Sequence, residues 1–268
     1  PFSDWHAMKR QVQGKSKEDI MMRVYGWVSN LNSSRFPKFG AAHIIDELPD
    51  ASTCTHYMVM DPAGSRNWYA LWAMVDDCGR IYVYREWPDA ARYGDWAVED
   101  KTKKDGKPGP AQTTGAGNSV SGYRKTFYDL ENDQAIFERY IDPRAGKTAA
   151  TALKERNQSL IDVLNESTDE TPGMHFIPSV VSDIEEGINL VNSLLSYDES
   201  EPITTMNEPK LYIHKSCENL IWAMENWTGL DREKGACKDP IDALRYLVMM
   251  DPQHIGRHTF KTIGGGSY

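Results

Sequence analysis

Long apolar runs and a signal peptide are both missing from this sequence. No stretch of its 268 residues approaches the ~18 consecutive apolar residues that a membrane-spanning helix needs. Cysteine is scarce as well, because the chain has 4 and none of them form a CxxC pair, which argues against a structural zinc site. We therefore expect a cytosolic chain with reduced thiols.

An excess of basic residues is also missing. Lys and Arg number 30 against 39 Asp and Glu, so the formal net charge is −9. This balance argues against indiscriminate binding of polyanions, although a local basic groove remains compatible with it. Hydrophobic residues make up 40% of the chain, which is typical of a globular protein with one large domain or a domain plus an arm.

Strand patterns follow a mixed N-terminal segment of about 50 residues. "THYMVMD" and the two halves of "NWYALWAMVDDCGRIYVYREW" predict three antiparallel strands, with a hairpin turn at Asp76–Gly79. Residues 94–125 are polar and rich in Gly, Pro and Lys, which predicts a long loop. Later strand patterns ("IFERYIDP", "MHFIPSV", "PKLYIHK") alternate with helical ones. The order predicts an α/β fold with a mixed sheet.

Two helix starts carry capping signals. Ser182 and Glu185 form a capping-box pattern before "INLVNSLL". Asp239 is in the position of an N-cap, with Pro240 at the first helical position of the last long helix.

Carboxylates stand at the ends of predicted elements. Asp61 and Asp142 each end a strand, Asp242 lies in the first turn of the last helix, and Asp239 is one turn before it on the same face. Converging carboxylates would bind hard divalent cations, and a pair of Mg²⁺ or Mn²⁺ ions could support phosphodiester cleavage. Each acid also has an ordinary explanation, since Asp-Pro opens turns, Asp239 could be a cap and Asp242 could complement the helix dipole.

Three segments in order resemble a known family. "MVMDPAGSRNWYALWAMVDDCGRIYVYREW", "RYIDPRAG" and "KDPIDALRYLV" are similar to the nuclease domain of tailed-phage terminase large subunits, the DNA-packaging motor. "RVYGWVSN…FPKFGAAHII" resembles the segment that joins the ATPase domain of those proteins to the nuclease domain. "IEEGINLVNSLL" and "PKLYIHKSCENLIWAMENW" also fit, so that the resemblance spans about residues 23–250.

The resemblance implies an RNase H-like α/β fold, with three antiparallel strands and then parallel strands in a mixed sheet flanked by helices. It implies a metal-dependent endonuclease that cuts concatemeric viral DNA with two Mg²⁺ or Mn²⁺ ions. By position, the three catalytic, metal-binding acids fall on Asp61, Asp142 and Asp242, and Asp239 matches a fourth metal ligand. We expect an arm from the motor half over residues 1–50, the nuclease domain over 51–252 and a tail over 253–268.

The resemblance also implies partners and a location. They are double-stranded DNA, the ATPase motor domain of the same full-length protein, which this sequence lacks, the small terminase subunit and the portal. No membrane is expected, and the place of action is the host cytoplasm, at the capsid portal during packaging. The cations that could contact DNA phosphates, or could simply be solvated, are Arg66, Lys101, Lys103, Lys104, Lys107, Arg124, Lys125, Arg144 and Lys147. Glu86 at the end of the third strand could also face the metals.

Gly146-Lys147-Thr148 resembles the end of a phosphate-binding P-loop. The motif requires a glycine five residues before Gly146, and that position is Ile141, inside a strand. We therefore expect no ATP site in this chain. Besides the terminase hypothesis, a Holliday-junction resolvase or integrase-like nuclease and a non-catalytic DNA-binding packaging module remain alternatives.

Overall fold

The computed structural model describes residues 34–62, 68–89, 120–144, 159–169, 171–180, 183–229 and 238–256. These ranges contain seven strands and five α-helices. In chain order they are β1 (Ile44–Ile45), β2 (Thr55–Asp61), β3 (Tyr69–Val75), β4 (Ile81–Trp87), α1 (Val120–Glu131), β5 (Glu138–Ile141), α2 (Leu160–Asn165), β6 (Phe176–Pro178), α3 (Ile184–Leu195), β7 (Leu211–His214), α4 (Glu218–Asn226) and α5 (Lys238–Met249). None of these helices is long and apolar enough to cross a membrane.

The strands form one mixed sheet in the order β1-β7-β4-β3-β2-β5-β6. β2, β3 and β4 form an antiparallel meander, and every other pairing in the sheet is parallel. The hairpin between β3 and β4 turns at Asp76–Gly79, as predicted, and Gly79 takes a φ of 72° that favours glycine. The prediction of a mixed sheet, with three antiparallel strands followed by parallel strands and flanked by helices, is confirmed.

Helices cover both faces of the sheet and create two apolar cores. Successive residues of β2 alternate between them, because side chains of a strand point to opposite faces. Tyr57 and Val59 belong to the core beneath α3, α4 and α5, while Met58 and Met60 belong to the core beneath α1 and α2. Burial on both faces explains why the central strands are apolar almost throughout.

Three local predictions need correction. The structure has a helix from Val120 where the sequence predicts a loop up to residue 125, because Tyr123 and Phe127, one turn apart, fill the second core. The N-cap of α3 is Asp183, whose carboxylate accepts the amide of Glu185, while Ser182 of the predicted capping box lies outside the described residues. Asp239 is not a cap, since α5 already includes Lys238.

Part of the predicted arm is integrated into the sheet. β1 pairs in parallel with β7, and Phe36 is buried in the first core. At the other end of the chain, the Tyr57 hydroxyl donates to the Gln253 carbonyl (2.6 Å), and the Ile255 amide donates to Thr55 (2.8 Å). The division of the chain at residues 50 and 252 stays a prediction, and residues 1–33 of the arm lie outside the described ranges.

Candidate metal centre

The register of two central strands brings Asp61 and Asp142 together. β2 and β5 are parallel neighbours, and Met60 lies opposite Ile141. The residue that follows each of these is an acid, Asp61 in one case and Asp142 in the other. The Asp142 amide continues the ladder by donating to the Met60 carbonyl (3.2 Å). Alternation along the strands places both acids on the face that α5 covers, at the carboxyl end of the strands.

The first turn of α5 adds two further acids to the same place. α5 packs against β2 and β3, and it carries Asp239 and Asp242 three residues apart on one face. Both side chains are buried, with Asp239 2% exposed and Asp242 4% exposed. Buried carboxylates are rare unless a cation or hydrogen-bond donors accompany them. Cations close to this turn therefore stabilise its two carboxylates.

The four carboxylates lie close enough to act on one another electrostatically, and the pKa of Asp61 responds to the other three. It is raised well above the ordinary value of 3.8, first by the loss of water around the group and then by the negative charges of Asp239, Asp242 and Asp142. The pKa of the Tyr246 hydroxyl is raised by burial and by three of the same acids. The predicted acids therefore converge in the structure.

Two cations hold the carboxylate of Asp242. Nη1 of Arg245 donates to Oδ1 (2.6 Å), and the ammonium of Lys238 forms an ion pair with Oδ2. Arg245 is buried, whereas the Lys238 side chain is 39% exposed. A small cavity of about 80 Å³ opens beside them and is lined by Asp142, Pro143, Arg144, Val180, Ile184, Lys238, Asp242, Arg245 and Tyr246.

The donor set of this centre consists of carboxylate oxygens, which are the ligands that Mg²⁺ and Mn²⁺ prefer. Two ions lie roughly 4 Å apart in such centres, so the outer ligands spread further than those of a single ion. Among the described residues, the group whose ligand atoms all lie within 4.8 Å of one another is instead Asp76, Asp77 and Cys78. Asp76 accepts hydrogen bonds from Arg80 and Tyr82, so its carboxylate stabilises the hairpin turn.

Glu86 does not join the acids. Its Oε2 accepts the Tyr69 hydroxyl (2.7 Å) and the Leu220 amide (2.9 Å), and its Oε1 accepts the Asn219 amide (2.8 Å). The carboxylate therefore caps the N-terminus of α4, where the helix dipole favours negative charge. The suggestion that it faces the metals is not supported.

The predicted DNA-contacting cations divide into three groups. Arg124 is buried, and its guanidinium donates to the carbonyls of Val163 and Glu166, so it has a structural role and the phosphate contact predicted for it is not supported. Lys125 is exposed and pairs with Asp129, while Arg144 is exposed at the cavity. The others lie outside the described residues: Arg66, Lys101, Lys103, Lys104, Lys107 and Lys147.

Three residues of the centre are not predicted from the sequence. Lys238, Arg245 and Tyr246 all lie on α5 and line the cavity beside the acids. Helical spacing already contains the signal for two of them, because Lys238 is four residues before Asp242 and Arg245 is three residues after it. Both are at distances where side chains of opposite charge meet on one helix face.

This chain is similar to solved structures of known proteins, but no match to it is found by sequence. No family model matches the chain, and no curated protein matches it. Similar solved structures include phage large terminases. The large terminase of a thermophilic bacteriophage aligns at 14% identity and a TM-score of 0.48, covering 91% of this chain and 52% of that chain. The P22 large terminase nuclease domain aligns at 12% identity and a TM-score of 0.49, covering 82% of this chain and 93% of that chain.

The chain spans about half the length of the large terminase from the thermophilic bacteriophage.

Proposed function

We propose that this chain is the nuclease part of a phage large terminase, a divalent-metal-dependent endodeoxyribonuclease that cuts concatemeric viral DNA during genome packaging. The observation that carries the proposal is the convergence of four carboxylates at the ends of β2 and β5 and the start of α5. A stable fold gains nothing from this convergence, since the acids repel one another and raise the pKa of Asp61.

In this proposal Asp61, Asp142 and Asp242 hold two Mg²⁺ or Mn²⁺ ions, with Asp239 as a fourth ligand. When bound, such ions supply Lewis-acid activation of water and stabilise the leaving oxygen in phosphodiester hydrolysis. The chain itself supplies rigid placement, because two acids stand at strand ends and two on the first turn of a packed helix. Buried Arg245 fixes the carboxylate of Asp242, and exposed Arg144 offers a positive charge to a DNA phosphate at the cavity.

The proposed partners follow from the same assignment. They are double-stranded DNA, an ATPase motor domain of the same full-length protein, a small terminase subunit and the portal, with action in the host cytoplasm at the capsid portal. ATP is not a ligand of this chain in the proposal. Cleavage of linear DNA in preference to branched junctions would favour a terminase over a resolvase.

The first prediction concerns Asp61→Asn in a plasmid-nicking assay with Mn²⁺. We expect cleavage to fall roughly 100-fold or more, because even outer-shell partners of metal ligands cost up to that much. We also expect the melting temperature in metal-free buffer at pH 8 to stay equal or rise, because the substitution removes a carboxyl whose charged form is disfavoured by burial and by the neighbouring acids.

Asp129→Asn is the matched control, since Asp129 is an exposed acid on α1 that pairs with Lys125. It should cut as the unaltered chain does. Full nicking activity in Asp61→Asn would contradict the proposal.

A further inference from the structure

Lys238 occupies an unusual position for a surface lysine. Its ammonium pairs with Oδ2 of Asp242, and its charge also acts on Asp61, whose pKa it lowers against the effect of the neighbouring acids. It lines the same cavity as Asp142. The ammonium thus lies among acids that come from both strand ends and from the helix, where a divalent ion would need the same oxygens.

The two cations on Asp242 differ in how firmly they are held. The Arg245 side chain is 4% exposed and lies against the backbone of Gly187 in α3, where a β-carbon would be 2.7 Å from Nε. The Lys238 side chain is 39% exposed and has a flexible four-carbon stem. Arg245 is therefore a permanent partner of Oδ1, whereas Lys238 has an open route from Oδ2 into solvent.

We propose that Lys238 is a built-in counter-cation that competes with the divalent metal for Oδ2 of Asp242 and leaves it when the metal binds. The inference rests on the proposed metal centre and identifies a residue that tunes the affinity of that centre for the divalent metal. Without metal, the ammonium offsets the repulsion among the carboxylates and stabilises the fold. With metal, that ion pair has to break, which weakens metal binding by the free energy of the pair.

Calorimetric titration of the full chain with MnCl₂ tests the proposal. Lys238→Met removes the charge and retains a stem of similar length, and we expect it to bind Mn²⁺ roughly three- to fivefold more tightly, since partly exposed ion pairs have energies of that order. Lys238→Arg retains the charge, and its affinity should be no tighter than that of the unaltered chain. Lys125→Met is the matched control, because Lys125 forms the same i,i+4 pair with Asp129 on α1, and its affinity should be unchanged.

Thermal unfolding gives a second readout. We expect Lys238→Met to lower the melting temperature in metal-free buffer and to match the unaltered chain in saturating Mn²⁺, because the ion pair is already broken there. A merely structural ion pair would lower the melting temperature equally under both conditions.

The outcomes separate the inference from the proposed function. Mn²⁺ binding that Asp61→Asn abolishes but Lys238→Met leaves unchanged or weakens would overturn the counter-cation and support the metal centre. Absence of Mn²⁺ binding to the unaltered chain would overturn both. Tighter binding in Lys238→Met, with equal melting temperatures in saturating Mn²⁺, would support the inference.

Discussion

At the scale of single residues, Glu86 shows how burial outweighs hydrogen bonding. Its carboxylate accepts three hydrogen bonds, one from the Tyr69 hydroxyl and two from backbone amides of α4. Its pKa is nevertheless raised from 4.5 to about 7, because desolvation is the largest contribution and exceeds the stabilising bonds. Near neutral pH the group is therefore partly protonated in the folded chain.

This pKa predicts a pH dependence of stability. A carboxyl whose folded pKa is raised favours the folded state at low pH, and that contribution is lost as pH rises from about 4.5 to about 7. Over this window the loss is on the order of 3 kcal/mol in the free energy of unfolding. Urea unfolding between pH 4 and 8 measures it.

Glu86→Gln provides the comparison, because it does not titrate. The difference in free energy of unfolding between the unaltered chain and the variant should change across that window and level off above it. A difference that stays constant from pH 4 to 8 would refute the assignment.

At the scale of secondary-structure elements, the crossing of α3 and α5 depends on Gly187. A β-carbon there would lie 2.7 Å from Nε and 3.2 Å from Cγ of Arg245, and both residues are buried. Helices approach this closely only where one of them lacks a side chain. The glycine therefore sets the position of the arginine that holds Asp242.

Gly187→Ala should be destabilising, although Ala is intrinsically the better helix former by about 1 kcal/mol. We expect a loss of roughly 1–3 kcal/mol from overpacking, together with weaker Mn²⁺ binding as Arg245 shifts. Urea unfolding and calorimetry measure the two effects. Gly256→Ala, whose added β-carbon meets nothing within 4 Å, is the control, and a gain of stability in Gly187→Ala would disprove the close approach.

The sequence predicts the elements of this fold better than their limits. The apolar strands are recognisable because both faces of the sheet are covered. The start of α1 is not, because residues 94–125 are predominantly polar and the buried side chains that support the helix, such as Phe127, contact strands distant in sequence. Propensity acts locally, whereas such helix boundaries depend on tertiary packing.

At the scale of the whole molecule, the net charge of −9 opposes DNA, so binding depends on local cations. Arg144 is exposed at the cavity beside Asp142, and Lys238 and Arg245 line the same cavity. Arg144→Ala should weaken binding of double-stranded DNA and reduce the slope of log K against log salt by about 1.

Fluorescence anisotropy over a salt series measures this slope. Lys210→Ala is the control, because Lys210 directly precedes β7, which runs in the same direction as β2, and therefore lies at the opposite end of the strands from the acids. An unchanged slope in Arg144→Ala would remove this residue from the DNA surface.

The acids of the centre can be predicted from the sequence, but the cations that lie beside them cannot. Asp61 and Asp142 can be found because each directly follows the apolar residues of a strand, and their proximity follows once β2 and β5 are known to be parallel neighbours. Which cations neutralise them depends on the rotation of α5 about its axis, which is set by packing against the sheet. The role of Arg124 likewise depends on carbonyls that are near it only in the folded chain.

The order of the elements along the chain, with α5 after β2 and β5, has a consequence during synthesis. Asp61 and Asp142 leave the ribosome well before the helix that carries Asp239 and Asp242, and α5 has to dock on β2 and β3 to complete the centre. The segment after α5 then bonds back to the start of β2 through Gln253 and Ile255. A nascent chain that has not yet reached α5 therefore carries only two of the four carboxylates, and the proposed nuclease is unable to cut DNA until α5 has been translated and has docked.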